Sequence, residues 1–309
     1  MELTSFLNAM PNTINTALQL GLINALVVLA LFLSYKMLGV CDLSTDGCFT
    51  FGAAVGAIVA GSGHPFACIP AAMLAGALSG LVTSVLQTKM GINSLLSGII
   101  VNTGLYSVNI AVMGGSTVNI NKADTVFTMM KDFLGSRLPF IEKQYVIVVA
   151  AIFVAIVIIF LSLFLRTRLG LAIRATGDNV DMVRSSSIDP MRITIIGLCI
   201  SGSFTALSGC LLALSQKSTN ISSGSGMVTV ALASLLIGGI FYKRGNISLQ
   251  ALSAVLGAFV FRYVYGVAIL LHMPAFMLNF VSAVIVVLTL SIPYIKERRA
   301  LARRRHTRS

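Results

Sequence analysis

Nine apolar segments follow one another along this chain of 309 residues, and their length limits the fold more than any other feature. A helix needs about 20 consecutive apolar residues to cross the hydrocarbon of a bilayer. Charged residues make up only 10% of the chain, against about 25% in an average soluble domain. The sequence therefore predicts an all-α polytopic membrane protein with about nine transmembrane helices, and it excludes a soluble globule or a disordered chain. The predicted spans are 16–38, 44–61, 65–85, 94–113, 144–165, 193–215, 227–242, 247–270 and 275–293.

Basic residues in the loops indicate the orientation. Lysine and arginine are frequent in 166–192, in 243–246 and in the tail 294–309, and Lys89 lies in 86–92. Because short cytoplasmic loops are enriched in these residues, we expect all four segments on the cytoplasmic side and the intervening loops outside. The chain is then a single transmembrane domain over 1–293, followed by a basic cytoplasmic tail over 294–309. Nine crossings place the N-terminus outside, whereas eight would place it inside.

Few residues suit chemistry or nucleic-acid binding. The net charge is +12, but half of it lies in the tail, where basic residues after an apolar span indicate an anchor at anionic lipid. There is no Gly-x-x-x-x-Gly-Lys-[Ser/Thr] phosphate-binding loop and no His-Glu-x-x-His metal motif. The three histidines and five cysteines are scattered. We therefore expect no enzyme activity, no resident metal or cofactor and no nucleic-acid partner.

The segment 166–192 has the most informative polar sequence. Apolar residues recur at helical spacing after Arg168, and Gly177 can end that helix as a C′ residue. Asp178 then suits the N-cap of a second helix, which Pro190 would stop. The sequence predicts two short helices with a Gly-Asp-Asn corner, well suited to bind a cytoplasmic partner. A solvated cytoplasmic loop is the alternative.

A second polar segment, 39–52, interrupts the apolar sequence with Asp42 and Asp46. Asp42 and Ser44 can cap a helix that restarts near residue 45, which predicts a broken helix near 39–47. Broken helices at membrane depth line a cavity or are buried in protein. An ordinary cytoplasmic turn is the alternative interpretation.

Other polar groups inside the spans are few. Asn102, Tyr106 and Asn109 follow i, i+4, i+7 spacing and share one face of the fourth span. Arg262 lies within the eighth span, where it faces a functional site or extends toward the headgroups. In the outer loop, 126–134 has the spacing of a short amphipathic helix, which we expect to contact an external protein. Small residues such as those at Gly52-x-x-x-Gly56 and Gly76-x-x-x-Gly80 predict close helix packing.

Several of these motifs resemble those of type II ABC importer permeases, the branched-chain amino acid and ribose permease superfamily. The resemblance covers about 20–290 and rests on five stretches of the sequence: Asp42–Gly47, Thr167–Asn179, Ser201–Gly209, Ser223–Gly226 and Gly238–Gly239. The runs at 86–93 and 113–115 look closest to the branch that works with binding lipoproteins for tryptophan or tyrosine. Residues 185–189 depart mildly from the usual pattern.

The resemblance implies a permease that forms a pathway with a second permease chain, as a homodimer or a heterodimer. Cytoplasmic ATPase subunits, which bind ATP and magnesium, would dock on 166–192, and an extracellular or periplasmic binding protein would dock outside. The expected coupling residues are Gly170, Arg174, Ala175, Gly177, Asp178, Asn179 and Arg184. The expected pathway residues are Asp42, Ser44, Asp46, Gly47, Asn102, Tyr106, Asn109 and Arg262. An ion-coupled secondary transporter or channel and an intramembrane enzyme or scaffold remain the alternatives, and the residues alone do not name the solute.

Overall fold

The computed structural model describes residues 2–121, 125–135, 144–242 and 246–270, with the isolated positions 280, 283–284, 287 and 291. These residues form eleven α-helices and a two-stranded ribbon. The helices are α1 (Glu2–Leu31, continued by a π-helical segment Phe32–Met37), α2 (Thr45–Gly61), α3 (Cys68–Thr88), α4 (Ser94–Met113), α5 (Val126–Gly135), α6 (Tyr145–Phe164), α7 (Arg168–Asp178), α8 (Val180–Ser185), α9 (Pro190–Gln216), α10 (Met227–Phe241) and α11 (Ile247–Leu270). The strands are β1 (Thr117–Asn119) and β2 (Ser218–Asn220).

Eight of the nine predicted spans coincide with helices of the described residues. Six helices are long and apolar enough to cross a bilayer, and two shorter apolar helices, α2 and most of α10, accompany them. The all-α polytopic fold is therefore confirmed. The ninth span, 275–293, is described only at isolated positions, and the tail 294–309 lies outside the described residues. The number of nine crossings and the single-domain boundaries stay predictions.

Helix α9 lies at the centre of the bundle and packs against α1, α2 and α3. Its hydroxyl groups donate to α1: Ser201 Oγ to the carbonyl oxygen of Ala30 at 2.9 Å, and Ser208 Oγ to that of Ile23 at 2.7 Å. The two helices therefore run antiparallel. These bonds satisfy hydroxyl groups that would be costly to leave unpaired in an apolar interior.

The predicted small-residue contacts are confirmed. A β-carbon at Gly52 would overlap the carbonyl oxygen of Ala206, and one at Gly76 would overlap that of Gly202. Glycine at these positions lets the backbones of α2, α3 and α9 touch directly. In lipid, where neighbouring chains are as apolar as the helices, such contact drives helix association.

Gly52→Leu should therefore disrupt the bundle. A leucine has no space beside Ala206, and overpacking of this kind costs about 1–3 kcal/mol or more. We expect a large loss of monodisperse protein in detergent size-exclusion chromatography and a lower midpoint of thermal unfolding. Gly104→Leu is the matched control, because a β-carbon at Gly104 meets no atom within 4 Å. Equal behaviour of the two variants would contradict the packing argument.

The two ends of α9 carry different structures. Helices α7 and α8 precede its N-terminus, whereas β2 follows its C-terminus and pairs antiparallel with β1, Thr117 opposite Asn220. The ribbon thus joins the loops 114–143 and 216–226, which were both predicted to lie outside. The predicted helix near 126–134 is present as α5. Its Phe127 is buried in the hydrophobic core of the protein, and the contact of α5 with an external protein stays a prediction.

Candidate functional site

The chain between α1 and α2 is not helical, which confirms the predicted break near 39–47. Asp42 Oδ1 accepts hydrogen bonds from the amide of Ser44 at 2.9 Å and from its hydroxyl at 2.6 Å. Thr83 Oγ1 of α3 donates to Ser44 Oγ at 3.1 Å. Because Asp42 and Ser44 are buried, these bonds hold the break together. Asp46 and Gly47 belong to the first turn of α2 and not to the break itself.

Helix α2 begins at the depth of the middle of α9. Cys48 Sγ lies 3.4 Å from the carbonyl oxygen of Gly202, which is near the centre of the 27-residue α9. A helix of that length measures about 40 Å, so the start of α2 lies well inside the bundle. The break therefore runs from the exposed Gly39 to the buried Asp42 and Ser44, and its second half ends at membrane depth packed in protein, as an interrupted helix requires.

Helix α10 also begins at this depth, directly beside the start of α2. Asp46 Oδ2 accepts from the amide of Gly226 at 2.9 Å, and Oδ1 accepts from the amide of Val228 at 2.8 Å. Thr50 Oγ1 accepts from the amide of Gly224 at 3.1 Å. The carboxyl group of Asp46 thus caps the first turn of α10 and accepts from N–H groups that have no partner within the helix.

A pocket of about 410 Å³ opens between α2, α4 and the chain that leads into α10. Five of the eight predicted pathway residues lie together in its wall: Asp46, Gly47, Asn102, Tyr106 and Asn109. Five residues that the sequence analysis missed complete it: Thr50, Thr103, Ser107, Ile221 and Ser225. The i, i+4, i+7 spacing on α4 therefore identified one wall of a real cavity. The Ser-Gly-Ser-Gly run at 223–226, which precedes an apolar segment, could have indicated the other wall.

The remaining three predicted pathway residues lie elsewhere. Asp42 and Ser44 are absent from the pocket wall. Arg262 of α11 lies against α1, and with the side-chain amide of Asn24 turned so that its oxygen faces the guanidinium, Nε and Nη2 of Arg262 both donate to that oxygen. Its guanidinium also lies 5.4 Å from the ring centre of Tyr265. These contacts give Arg262 a packing role, and its place in the pathway stays a prediction.

The segment 166–192 forms the two predicted helices, but its corner differs from the prediction. Gly177 and Asp178 are the last residues of α7, so the C′ assignment of Gly177 and the N-cap assignment of Asp178 are wrong. Asn179 is the N-cap of α8, and its Oδ1 accepts from the amides of Asp181 at 3.0 Å and Met182 at 3.1 Å. Pro190 begins α9 behind the cap of Asp189 and does not end α8.

Close packing explains Gly177 better than backbone conformation does. A β-carbon there would overlap the carbonyl oxygen of Met37, at the end of the π-helical segment. Gly170 is similarly placed, since a β-carbon would overlap the carbonyl oxygen of Phe164. On the inner face of α7, Ile173 is fully buried. Helix α7 thus packs directly against the π-helical segment, where the first span ends.

The outer side of this coupling segment (166–192) is open. Arg174 and Ala175 are half-buried, whereas Asp178, Asn179 and Arg184 are exposed. Large apolar side chains are also exposed along it: Leu169, Leu171, Val180, Met182, Ile188 and Met191. A group of exposed apolar side chains on helices that are packed against the rest of the protein is typical of a protein-binding surface.

No group of three or more histidine, cysteine, aspartate or glutamate residues that could hold a metal ion occurs in the part of the chain that the structure describes. What the geometry offers is a polar cavity at membrane depth and an exposed helical pair at one end. This combination suits passage of a solute and attachment of a partner.

Comparison with known proteins agrees with this geometry. The family described as "Branched-chain amino acid transport system / permease component" matches residues 13–290. The "Tyrosine transport system permease protein" of Clostridioides difficile strain R20291 is 33% identical over 268 residues, which are 86% of this chain and 86% of that protein. The "Ribose import permease protein RbsC" of Escherichia coli strain K12 is 25% identical over 285 residues, 91% of this chain and 85% of that protein. No solved structure matches the chain.

Proposed function

Since the chain belongs to the family of permease components of branched-chain amino acid transport systems, and is thus a multi-pass plasma-membrane subunit of an ABC importer, we propose that its solute is an aromatic amino acid. The similarity to a tyrosine permease supports this choice over a sugar, because the ribose permease is less similar, at 25% identity against 33%. The residues at 86–93 and 113–115 support it as well.

The pathway runs through the pocket. This proposal rests on one observation: polar side chains of α4, among them Thr103, Tyr106 and Ser107, are exposed at mid-depth of the bundle. Polar groups at this depth are costly in lipid unless they face water or protein. A water-filled pathway between this chain and a second permease chain satisfies them.

The partners occupy the two ends of the bundle. The ATPase subunits, which bind the ATP and magnesium, dock on the exposed apolar side chains of the coupling segment. The substrate-binding protein docks at the opposite end, where β1 and β2 join the two outer loops. A second copy of this chain completes the transporter as a homodimer.

Coupling follows from the contact between α7 and the π-helical segment. When the ATPase pair closes on ATP, α7 moves, and its contact with Met37 transmits the movement to the interrupted end of the first span. The break at 38–44 separates this end from α2, so α2 and the pocket wall can shift relative to α1. Alternating access of this kind needs two packed arrangements of rigid helices.

Uptake by reconstituted vesicles tests the proposal. Proteoliposomes that hold the permease, its ATPase and its binding protein should accumulate radiolabelled L-tyrosine only when ATP is supplied to the ATPase side. Ribose and L-leucine serve as comparison solutes under the same conditions. ATP-driven uptake of ribose or leucine without tyrosine would contradict the proposed substrate.

A further inference from the structure

The side chain of Asn109 has an unused acceptor in the pocket. It is only 1% exposed, and its Nδ2 donates to the carbonyl oxygen of Gly47 at 3.2 Å. Its Oδ1, in contrast, has no hydrogen-bond partner among the residues described and almost no accessible surface in this conformation, so a donor reaches it only when the pocket wall shifts. A buried acceptor left unpaired costs about 1–3 kcal/mol. A solute that donates a hydrogen bond to this oxygen would recover that free energy.

Other acceptor oxygens lie close by. A β-carbon built on Gly47 would lie 2.7 Å from Asn102 Oδ1, so this oxygen faces the same turn of α2 that Asn109 contacts. The carboxyl group of Asp46, one residue earlier, lines the pocket as well. Side-chain oxygens of Asn102, Asn109 and Asp46 therefore lie around the first turn of α2, and those of Asp46 already accept from the amides of Gly226 and Val228.

Charge in the wall has one sign. Within the described residues that line the pocket, Asp46 has the only carboxyl group, and there is no lysine, arginine or histidine. The N-terminus of α10 would attract an anion, but Asp46 already occupies its N–H groups. An anionic group in the pocket would meet acceptor oxygens without a counter-charge, whereas a cation with several N–H donors would be paired.

We propose that the pocket binds the ammonium group of the transported amino acid through Asn109 Oδ1, assisted by Asn102 and Asp46. This inference rests on the proposed function and specifies which part of the solute the pathway recognises. Tyr106 is 55% exposed and supplies an aromatic face in the same wall for a ring of the solute.

Ligand protection of a pocket cysteine tests the inference. Ser107→Cys places a thiol in the wall, and the permease–ATPase complex in lipid nanodiscs, without binding protein, is treated with iodoacetamide, an uncharged reagent. Three ligands are compared at equal concentration: L-tyrosine, tyramine (ammonium without carboxylate) and 3-(4-hydroxyphenyl)propionate (carboxylate without ammonium). We expect L-tyrosine and tyramine to slow alkylation several-fold and 3-(4-hydroxyphenyl)propionate to leave its rate unchanged.

Two variants at Asn109 test whether its side-chain oxygen is needed for protection by tyramine. Asn109→Leu in the Ser107→Cys background should abolish protection by tyramine, and Asn109→Asp, which keeps an acceptor oxygen, should retain it. Equal protection by tyramine and 3-(4-hydroxyphenyl)propionate would overturn the inference, and that comparison needs no substitution at residue 109. If the complete importer takes up tyrosine but tyramine does not slow alkylation, the ammonium site is refuted and the proposed substrate is not. Protection by tyramine without tyrosine uptake would support the ammonium site and refute only the proposed substrate.

Discussion

A Gly177→Val permease should insert and fold but should no longer couple ATP hydrolysis to uptake. The valine side chain has no space beside the carbonyl oxygen of Met37, so α7 must move away from the π-helical segment. Overpacking of this kind costs about 1–3 kcal/mol, and one or two kcal/mol change a two-state population by roughly 5–30-fold. The measurement is ATP-driven uptake in proteoliposomes, together with the ATPase rate of the same complexes. We expect uptake to fall by about that factor while hydrolysis continues.

A matched substitution controls for the valine itself. A β-carbon at Gly239 meets no atom within 4 Å, so Gly239→Val should leave uptake near the wild-type rate. Arg174→Glu tests the outer face of α7 and should weaken co-purification of the ATPase, because a carboxylate cannot make the paired donor contacts of a guanidinium. Wild-type uptake in Gly177→Val together with wild-type co-purification in Arg174→Glu would contradict the coupling assignment.

Asp46→Ala should abolish transport without releasing the ATPase. The substitution leaves the amides of Gly226 and Val228 without the carboxylate that accepts from them. Val228 is buried, and an unpaired buried amide costs about 1–3 kcal/mol, so α10 loses its fixed start and the pocket wall loses its shape. We expect uptake to fall to background, while the ATPase still co-purifies through the coupling segment.

Asp46→Asn is the conservative variant for the same position. It keeps one acceptor oxygen that can still accept from an amide at the start of α10, so this variant should retain part of the uptake. Hydrogen exchange at Gly226 and Val228 provides a readout besides activity and should rise in Asp46→Ala more than in Asp46→Asn. Full uptake by Asp46→Ala would show that the α2–α10 junction is dispensable.

The spans and one wall of the pocket could be predicted from the sequence because both depend on local periodicity. About 20 apolar residues suffice to identify a crossing helix, and α4 occupies 94–113, the range predicted. The spacing of Asn102, Tyr106 and Asn109 identifies a helix face whatever lies opposite.

The junctions could not be predicted in the same way. The bond from Asp46 to Val228 joins residues 182 positions apart, and no local pattern encodes such a pair. At the corner of the coupling segment, Gly177, Asp178 and Asn179 all suit helix ends by residue type. Contact with Met37, which is distant in the sequence, requires glycine at 177 and leaves the cap to Asn179.

Nucleotide-dependent accessibility of the pocket tests the central claim, that solute crosses through this cavity under control of the ATPase. Ser107→Cys permease is assembled with its ATPase in proteoliposomes, and a charged, membrane-impermeant thiol reagent is added to one side at a time. Ile156→Cys on α6, 55% exposed on an apolar helix, is the lipid-facing control and should stay unlabelled. We expect Ser107→Cys to react from one side without nucleotide and from the opposite side with ATP and vanadate. Labelling from the same side at the same rate in both states would contradict it.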